Sequence, residues 1–267
     1  MPKLTGDQER WLALVHQLAD AAALKTLKHF RKPHAVSNKA EGGFDPVTEA
    51  DVAAEKAMRA ILKKSAPTHG VAGEELADTE GDGQHTWVLD PIDGTRAFMA
   101  GLPMWGTLIG LVEAGRPIVG MMDQPFTGER FYGSAAGAFL AHGGKRTRLK
   151  TRSTTALNEA TLMATTPDMF SAKGEKAAFG RLEEAVRLRR FGGDCYAYCM
   201  LAAGHVDLVV ESGLKAVDIV PLIPIIEAAG GIVTSWDGAS PMAGGRVIAA
   251  ANTTIHSKAM AVLGGKA

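Results

Sequence analysis

The run Asp90-Pro91-Ile92-Asp93-Gly94-Thr95 sets two carboxylates three residues apart, beside a turn that ends in a hydroxyl and open backbone N–H groups. Hard divalent cations such as Mg²⁺ take oxygen ligands, and phosphate takes both cations and N–H donors. The hexapeptide therefore offers half of a metal site and half of a phosphate cradle. Asp-Gly is also an ordinary turn dipeptide, so the run alone equally describes a plain turn. Three further acidic places stand at predicted element boundaries, where side chains can converge. Glu74 follows the short apolar segment 69–73, Asp51 opens a predicted helix, and Asp218 is the predicted N-cap of another. Each has a plain structural reading as well: a solvated turn for Glu74-Glu75, and helix caps for Asp51 and Asp218. Together with the Asp-Gly-Thr turn they describe a site that holds cations against a phosphate group.

The elements that must position these residues follow from hydrophobic period. Thr5 and Gln8 form a capping box for an opening helix, whose apolar stripe is Trp11, Leu14, Val15, Leu18, Ala22 and Leu27 and whose end is marked by Pro33. A second helix is predicted over 48–65, with Ala54, Met58, Ile61 and Leu62 inward and Pro67 as its stop. From Trp87 the period changes to that of strands: 87–89, 107–113, 117–123, 131–133 and 138–141, with Gly115-Arg116 as a hairpin turn. Residues 143–156 are polar, basic and Gly/Thr-rich and read as a linker. Beyond it strands at 161–165, 189–191, 207–211 and 247–251 alternate with helices near 169–186, 195–203 and 219–229 and a last one at the C-terminus. The expected division is an N-terminal α+β half over residues 1–145 carrying most of the acidic site, and a C-terminal α/β half over residues 146–267, joined as a single compact unit.

Composition narrows the function classes. At 267 residues, 46% apolar and 22% charged, the chain can bury a large core. Lys plus Arg and Asp plus Glu both number 29, so no broad attraction for nucleic acid is expected. Residues 1–7 contain no apolar signal core, and the most apolar long stretch, 217–233, holds Asp218, Glu227, two prolines and two glycines, unlike a membrane helix. A cytoplasmic protein with no membrane partner is the expectation. The two cysteines, Cys195 and Cys199, are four apart, which suits one helical face and core packing better than a disulfide framework.

Four ordered segments carry a family resemblance: Asp45-Pro46-Val47-Thr48-Glu49-Ala50-Asp51, Gly73-Glu74-Glu75, Trp87 through Thr95, and Asp218 leading into Glu227-Ala228-Ala229-Gly230-Gly231. Over nearly its full length the chain resembles the inositol monophosphatase family of Mg²⁺-dependent phosphatases. The resemblance implies a layered αβαβα sandwich of the inositol monophosphatase/fructose-1,6-bisphosphatase type, a homodimer, and two or three Mg²⁺ per site. It implies that Glu74, Asp90 and the Ile92 carbonyl hold a first metal, that Asp90, Asp93 and Asp218 hold a second, and that Glu74 reaches a third through water. Thr95, linked to Asp51, would orient and help deprotonate the attacking water, and the Gly94 and Thr95 N–H groups would take phosphate oxygens.

Within the family the chain looks most like the histidinol-phosphate phosphatases, through Val36-Ser37-Asn38-Lys39, residues 105–110, Asp123-Gln124-Pro125, residues 190–198 and residues 210–215. A small phosphate ester carrying an amine and an imidazole needs acids and acceptors around it, which fits Asp194 and Glu211, with Arg190 and Lys39 as further substrate contacts. Asp194 reads equally as a helix N-cap. The alternatives are an inositol-1-phosphatase or a broad phosphatase of small esters, and, in another class, a non-catalytic RNA-associated member of the fold. One departure stands out: the family places an aromatic residue just before the last metal aspartate, where this chain has Val217.

Overall fold

Apolar stripes and strand runs assemble into five layers in the computed structural model, which describes residues 6–32, 36–38 and 46–265. Thr5, Pro33 and Lys39 lie outside the described residues. Helix α1 (Gly6–His29) buries Trp11, Leu14, Val15, Leu18 and Ala22 as its spacing predicts. The stripe then runs on through Thr26, and Leu27 is 39% exposed. Thr26 is one full step of four beyond Ala22, whereas Leu27 rotates off that face. A two-stranded ribbon, β1 (Val36–Asn38) with β2 (Pro46–Thr48), leads into α2 (Glu49–Ser65).

The first sheet has seven strands in the order β3 (Gly70–Gly73), β4 (His85–Asp93), β5 (Gly106–Glu113), β6 (Arg116–Gln124), β7 (Glu129–Ser134), β8 (Gly137–His142) and β9 (Lys145–Arg148). All neighbours are antiparallel except β3 and β4. The β5–β6 turn is made by Ala114 and Gly115, both at positive φ, one residue earlier than the sequence suggested. The expected division after residue 145 cuts through β9, so the chain leaves the first sheet only after Arg148. Lys145-Arg146-Thr147-Arg148 reads as linker because all four residues are exposed on an edge strand, where no face demands apolar side chains.

The second sheet runs β11 (Leu188–Phe191), β10 (Thr161–Ala164), β12 (Leu208–Leu214), β14 (Gly245–Ala250), β13 (Ile232–Ser235), with β11, β10 and β12 parallel. The hairpin partner β13, half-buried over most of its four residues, is an element that apolar period does not announce. Between the sheets lie α5 (Asp194–Ala202), α6 (Ala216–Ile219) and α7 (Ile223–Ala228). Their Tyr198, Cys199, Ile219 and Ile225 share one core with Leu108, Met122 and Phe131 of the first sheet and Val209, Val247 and Ala249 of the second. Helices α1 and α2 cover the other face of the first sheet, through Trp87, Leu89, Ile109 and Met121. Helices α4 (Glu175–Ala185) and α8 (Thr253–Leu263) cover the far face of the second, through Phe179, Leu182, Ile255 and Ala259. The architecture is thus the expected αβαβα sandwich. The helix predicted over 219–229 is instead two pieces, because Pro221 and Pro224 each remove an N–H and crowd the preceding turn. Among the described residues no helix is long and apolar enough to cross a membrane.

Candidate active site

Strand β4 reaches the acidic site through a bulge. Asp90 pairs with Leu108 and Asp93 with Gly106, so three steps along β4 oppose two along β5. Strand side chains alternate, and residues an odd number apart belong on opposite faces. The extra residue cancels that parity and brings both carboxylates to one side. Pro91 sits within the bulge, where its missing N–H breaks no ladder bond, and its carbonyl accepts from Thr107 Oγ1 at 2.8 Å. Asp90 Oδ1 accepts from the Ile92 N–H at 3.0 Å. Gly94 then turns at φ 83°, a left-handed angle that suits glycine, and α3 (Thr95–Met99) begins.

The other acids arrive from separate elements. Strand β3 runs parallel to β4 with Gly73 beside Leu89, and the Glu74 N–H donates to the Leu89 carbonyl at 3.1 Å, which sets Glu74 beside Asp90. Buried Glu55 of α2 braces this exit: it accepts from the Glu75 N–H at 2.8 Å and from Arg59 Nε at 2.7 Å. Asp218 is the third residue of α6 and accepts from the Lys215 N–H at 2.7 Å, in place of the expected N-cap of a longer helix. Ligand atoms of Asp90, Asp93 and Asp218 all lie within 4.8 Å of one another. An oxygen-only set at that separation fits a hard divalent cation. Burial, and then Glu74, Asp93 and Asp218, push the Asp90 carboxyl well above its usual range. For Asp93 the causes are burial, then Asp194 and Asp218. Such a cluster is held ionised only by added positive charge.

Asp51 and Thr95 take partners other than each other. Asp51 is 1% exposed and accepts from the backbone N–H and hydroxyl of Thr48 in a capping box. Burial chiefly raises its pKa, and nearby Glu74 adds to that. Thr95 Oγ1 donates to the Ile92 carbonyl at 3.0 Å. The expected Thr95–Asp51 link is therefore replaced by two local hydrogen bonds.

The second half closes over the cluster. The Cys195 N–H donates to Asp93 Oδ2 at 2.7 Å, so the residue read as core filler also fixes a site carboxylate through its backbone. Asp194 stands at φ 43°, rare for a residue with a Cβ. Burial brings its pKa up to about 6, opposed by a hydrogen bond with Thr165 and by the charge of Arg96. It makes no side-chain cap, and Gly193 is the N-cap of α5. Glu211, on β12, accepts from the Thr165 N–H at 2.8 Å and the Tyr198 hydroxyl at 2.9 Å. Its carboxyl is raised by burial to about 7.

Arg190 is exposed on edge strand β11, and no described contact joins it to the cluster. Arg96 is the guanidinium near Asp194, and Lys215 Nζ donates to Glu74 Oε1 at 3.0 Å. Both were missed by sequence reasoning; the one available signal was their adjacency to the Asp-Gly-Thr turn and to Asp218. Val217, in place of the aromatic, packs with Val88 and Val220.

A second cluster, His69, Asp82 and His85, also brings ligand atoms within 4.8 Å. Three of the four ring nitrogens already have partners: His85 faces Asp82 at 3.3 Å and Glu113 at 3.1 Å, and His69 Nδ1 accepts from Trp87 Nε1 at 3.1 Å. The two imidazoles stack 4.3 Å apart at 9°. Their in-plane lone pairs therefore do not converge on one ion.

The profile of the inositol monophosphatase family matches residues 7–264. The chain belongs to the inositol monophosphatase family. It is similar to the bifunctional phosphatase IMPL2, chloroplastic, of Arabidopsis thaliana, at 41% identity over 94% of this chain and 74% of that one. It is also similar to the histidinol-phosphatase of Streptomyces coelicolor, at 35% identity over 94% and 96%. Among solved structures, an inositol monophosphatase from Zymomonas mobilis superposes with a TM-score of 0.84 at 40% identity, covering 98% of this chain and 100% of that one. The protein is accordingly a phosphoric-monoester hydrolase of this family, with the acidic cluster at the ends of β3 and β4 as its candidate catalytic centre.

Proposed function

We propose that the protein hydrolyses small phosphate monoesters with Mg²⁺ and accepts more than one of them, inositol-1-phosphate included. The observation that carries this is the convergence of Asp90, Asp93 and Asp218 beside Glu74. The bifunctional relative and the inositol monophosphatase fold neighbour support the breadth of substrate. Histidinol phosphate is a second reading, favoured by two carboxylates of the second half, Asp194 and Glu211, and by the histidinol-phosphatase relative. A cationic ester would gain from both, whereas a neutral polyol has no special use for either.

Glu74, Asp90, the Ile92 carbonyl, Asp93 and Asp218 would hold two cations, and Glu74 could reach a third. Bound Mg²⁺ would supply charge neutralisation at the phosphoryl group and lower the pKa of water. The chain's own part is positioning, which phosphoryl transfer needs more than covalent help. Backbone N–H groups of Gly94 and Thr95 would take phosphate oxygens. Asp51 and Thr95, each already held by a local bond, would orient the attacking water. Asp194 and Glu211 would receive the leaving alcohol.

The test is phosphate release from inositol-1-phosphate and histidinol phosphate side by side, with Mg²⁺ and with chelator. Mg²⁺-dependent release from both is expected. Release from histidinol phosphate alone would establish the second reading in place of the first. No release from either would overturn both.

A further inference from the structure

Three glycines stand in one row across the first sheet. Gly110 of β5 pairs with Gly120 of β6, and Gly120 pairs with Gly133 of β7. The connection from α6 into the first turn of α7 lies directly on this row. A Cβ at Gly120 would stand 1.9 Å from the Pro221 carbonyl oxygen, and one at Gly133 would stand 2.3 Å from the Pro224 carbonyl oxygen. One at Gly110 would meet Pro221 Cα at 3.1 Å. These neighbours are backbone atoms, so no side-chain rotation relieves the overlap. Elsewhere the helix layer meets this sheet through side chains such as Leu108, Met122 and Phe131.

The contact lies three residues beyond Asp218. Hydrogen-bonded turns join the two: Val220 N to the Ala216 carbonyl at 3.0 Å, and Leu222 N to the Ile219 carbonyl at 2.9 Å. Lifting Pro221 off the sheet therefore lifts α6, and Asp218 with it, away from Asp90 and Asp93. Cation ligands tolerate displacements of only about 0.2 Å, far less than a methyl group would impose. We propose that Gly110, Gly120 and Gly133 form a seat that positions Asp218, and so act as positioning residues for the cation held between Asp218 and the two aspartates of β4. The proposal rests on the cation reading given above.

The experiment is Mg²⁺ titration of the chelator-stripped, full-length protein by calorimetry, with chemical denaturation run in parallel. Gly120→Ala should weaken Mg²⁺ binding about tenfold or more, the usual range for lost ligand support. Gly110→Ala, with its milder contact, should weaken it less. Asp218→Glu in the wild-type seat should also weaken binding, because its added methylene overreaches. Combined with Gly120→Ala, that same methylene spans the gap, so the double variant should bind Mg²⁺ more tightly than either single variant. A purely structural role for Gly120 would move the denaturation midpoint but give no such rescue. Wild-type affinity in Gly120→Ala, or a double variant weaker than both singles, would overturn the seat. If Gly120→Ala does not fold, Gly110→Ala with and without Asp218→Glu carries the same comparison and the same refutation. A wild-type protein that binds no Mg²⁺ would instead overturn the cation reading itself.

Discussion

Replacing Glu211 by glutamine separates stability from function at one buried atom pair. Glu211 is 2% exposed, and both its oxygens are engaged, by the Thr165 N–H and the Tyr198 hydroxyl. Burial nonetheless wins and raises its pKa from 4.5 to about 7. The folded protein therefore binds this proton more tightly than the unfolded chain does. Stability from this group is fully present below pH ~4.5 and is lost as pH rises to about 7. The gap is worth about 3 kcal/mol once the carboxylate is ionised. Glutamine keeps an acceptor for Thr165 and a polar partner for Tyr198 but carries no charge at any pH. Glu211→Gln should thus stabilise the metal-free protein by about 2–3 kcal/mol at pH 8 and change little near pH 5. The assay is urea denaturation of both proteins in chelator across that range, beside kcat/KM for the two esters. Activity should fall, and fall further with histidinol phosphate, because the carboxylate that weakens the fold is the one a cationic substrate would use. A stability difference that is flat with pH, or a variant less stable at pH 8, would refute the reasoning.

Two further outcomes follow from the same structure. Asp90→Asn relieves a carboxyl whose pKa is raised by burial and by three neighbouring acids; without metal the variant should melt higher than wild type at pH 8, yet show no Mg²⁺-induced rise in Tm and no phosphate release. Arg130→Met should cost about 3–5 kcal/mol in denaturation, because Arg130 Nε holds buried Asp123 at 2.7 Å while Asp123 Oδ2 has no hydrogen-bond partner, and the same guanidinium ties in Asp20 of α1 at 2.8 Å. Asp123→Asn in that background should recover part of the loss.

Local chemistry made much of the site legible. The Asp90–Thr95 run, the Thr48–Asp51 cap and the Glu74 strand end are each written within a few residues, and turn and cap preferences act at that range. A layered arrangement of helices on strands also follows from apolar period, since β5, β6 and, Ile61 apart, α2 bury the residues their spacing selects, whereas the αβαβα order is implied by the family resemblance. Errors gathered where burial and spacing part company. Strand β9 is exposed on both faces and so reads as linker. Leu27 is apolar but lies off the buried face of α1.

The sequence by itself determined which acids are available and that a hard cation and a phosphate suit them. Only the tertiary structure decided how they meet. The Cys195 N–H reaches Asp93 across 102 residues, Lys215 reaches Glu74 across 141, and Arg96 rather than Arg190 stands beside Asp194. The sequence reads as one helix over 219–229; the fold parts it around Pro221, and where that break comes to rest, and hence where Asp218 points, is set by three glycines on three different strands. The physical reason is the same in each case. A cap or turn is a bargain struck among neighbours in the chain, whereas these contacts exist only after two sheets and their helices have closed on one another, and no local pattern encodes the distance that closure leaves.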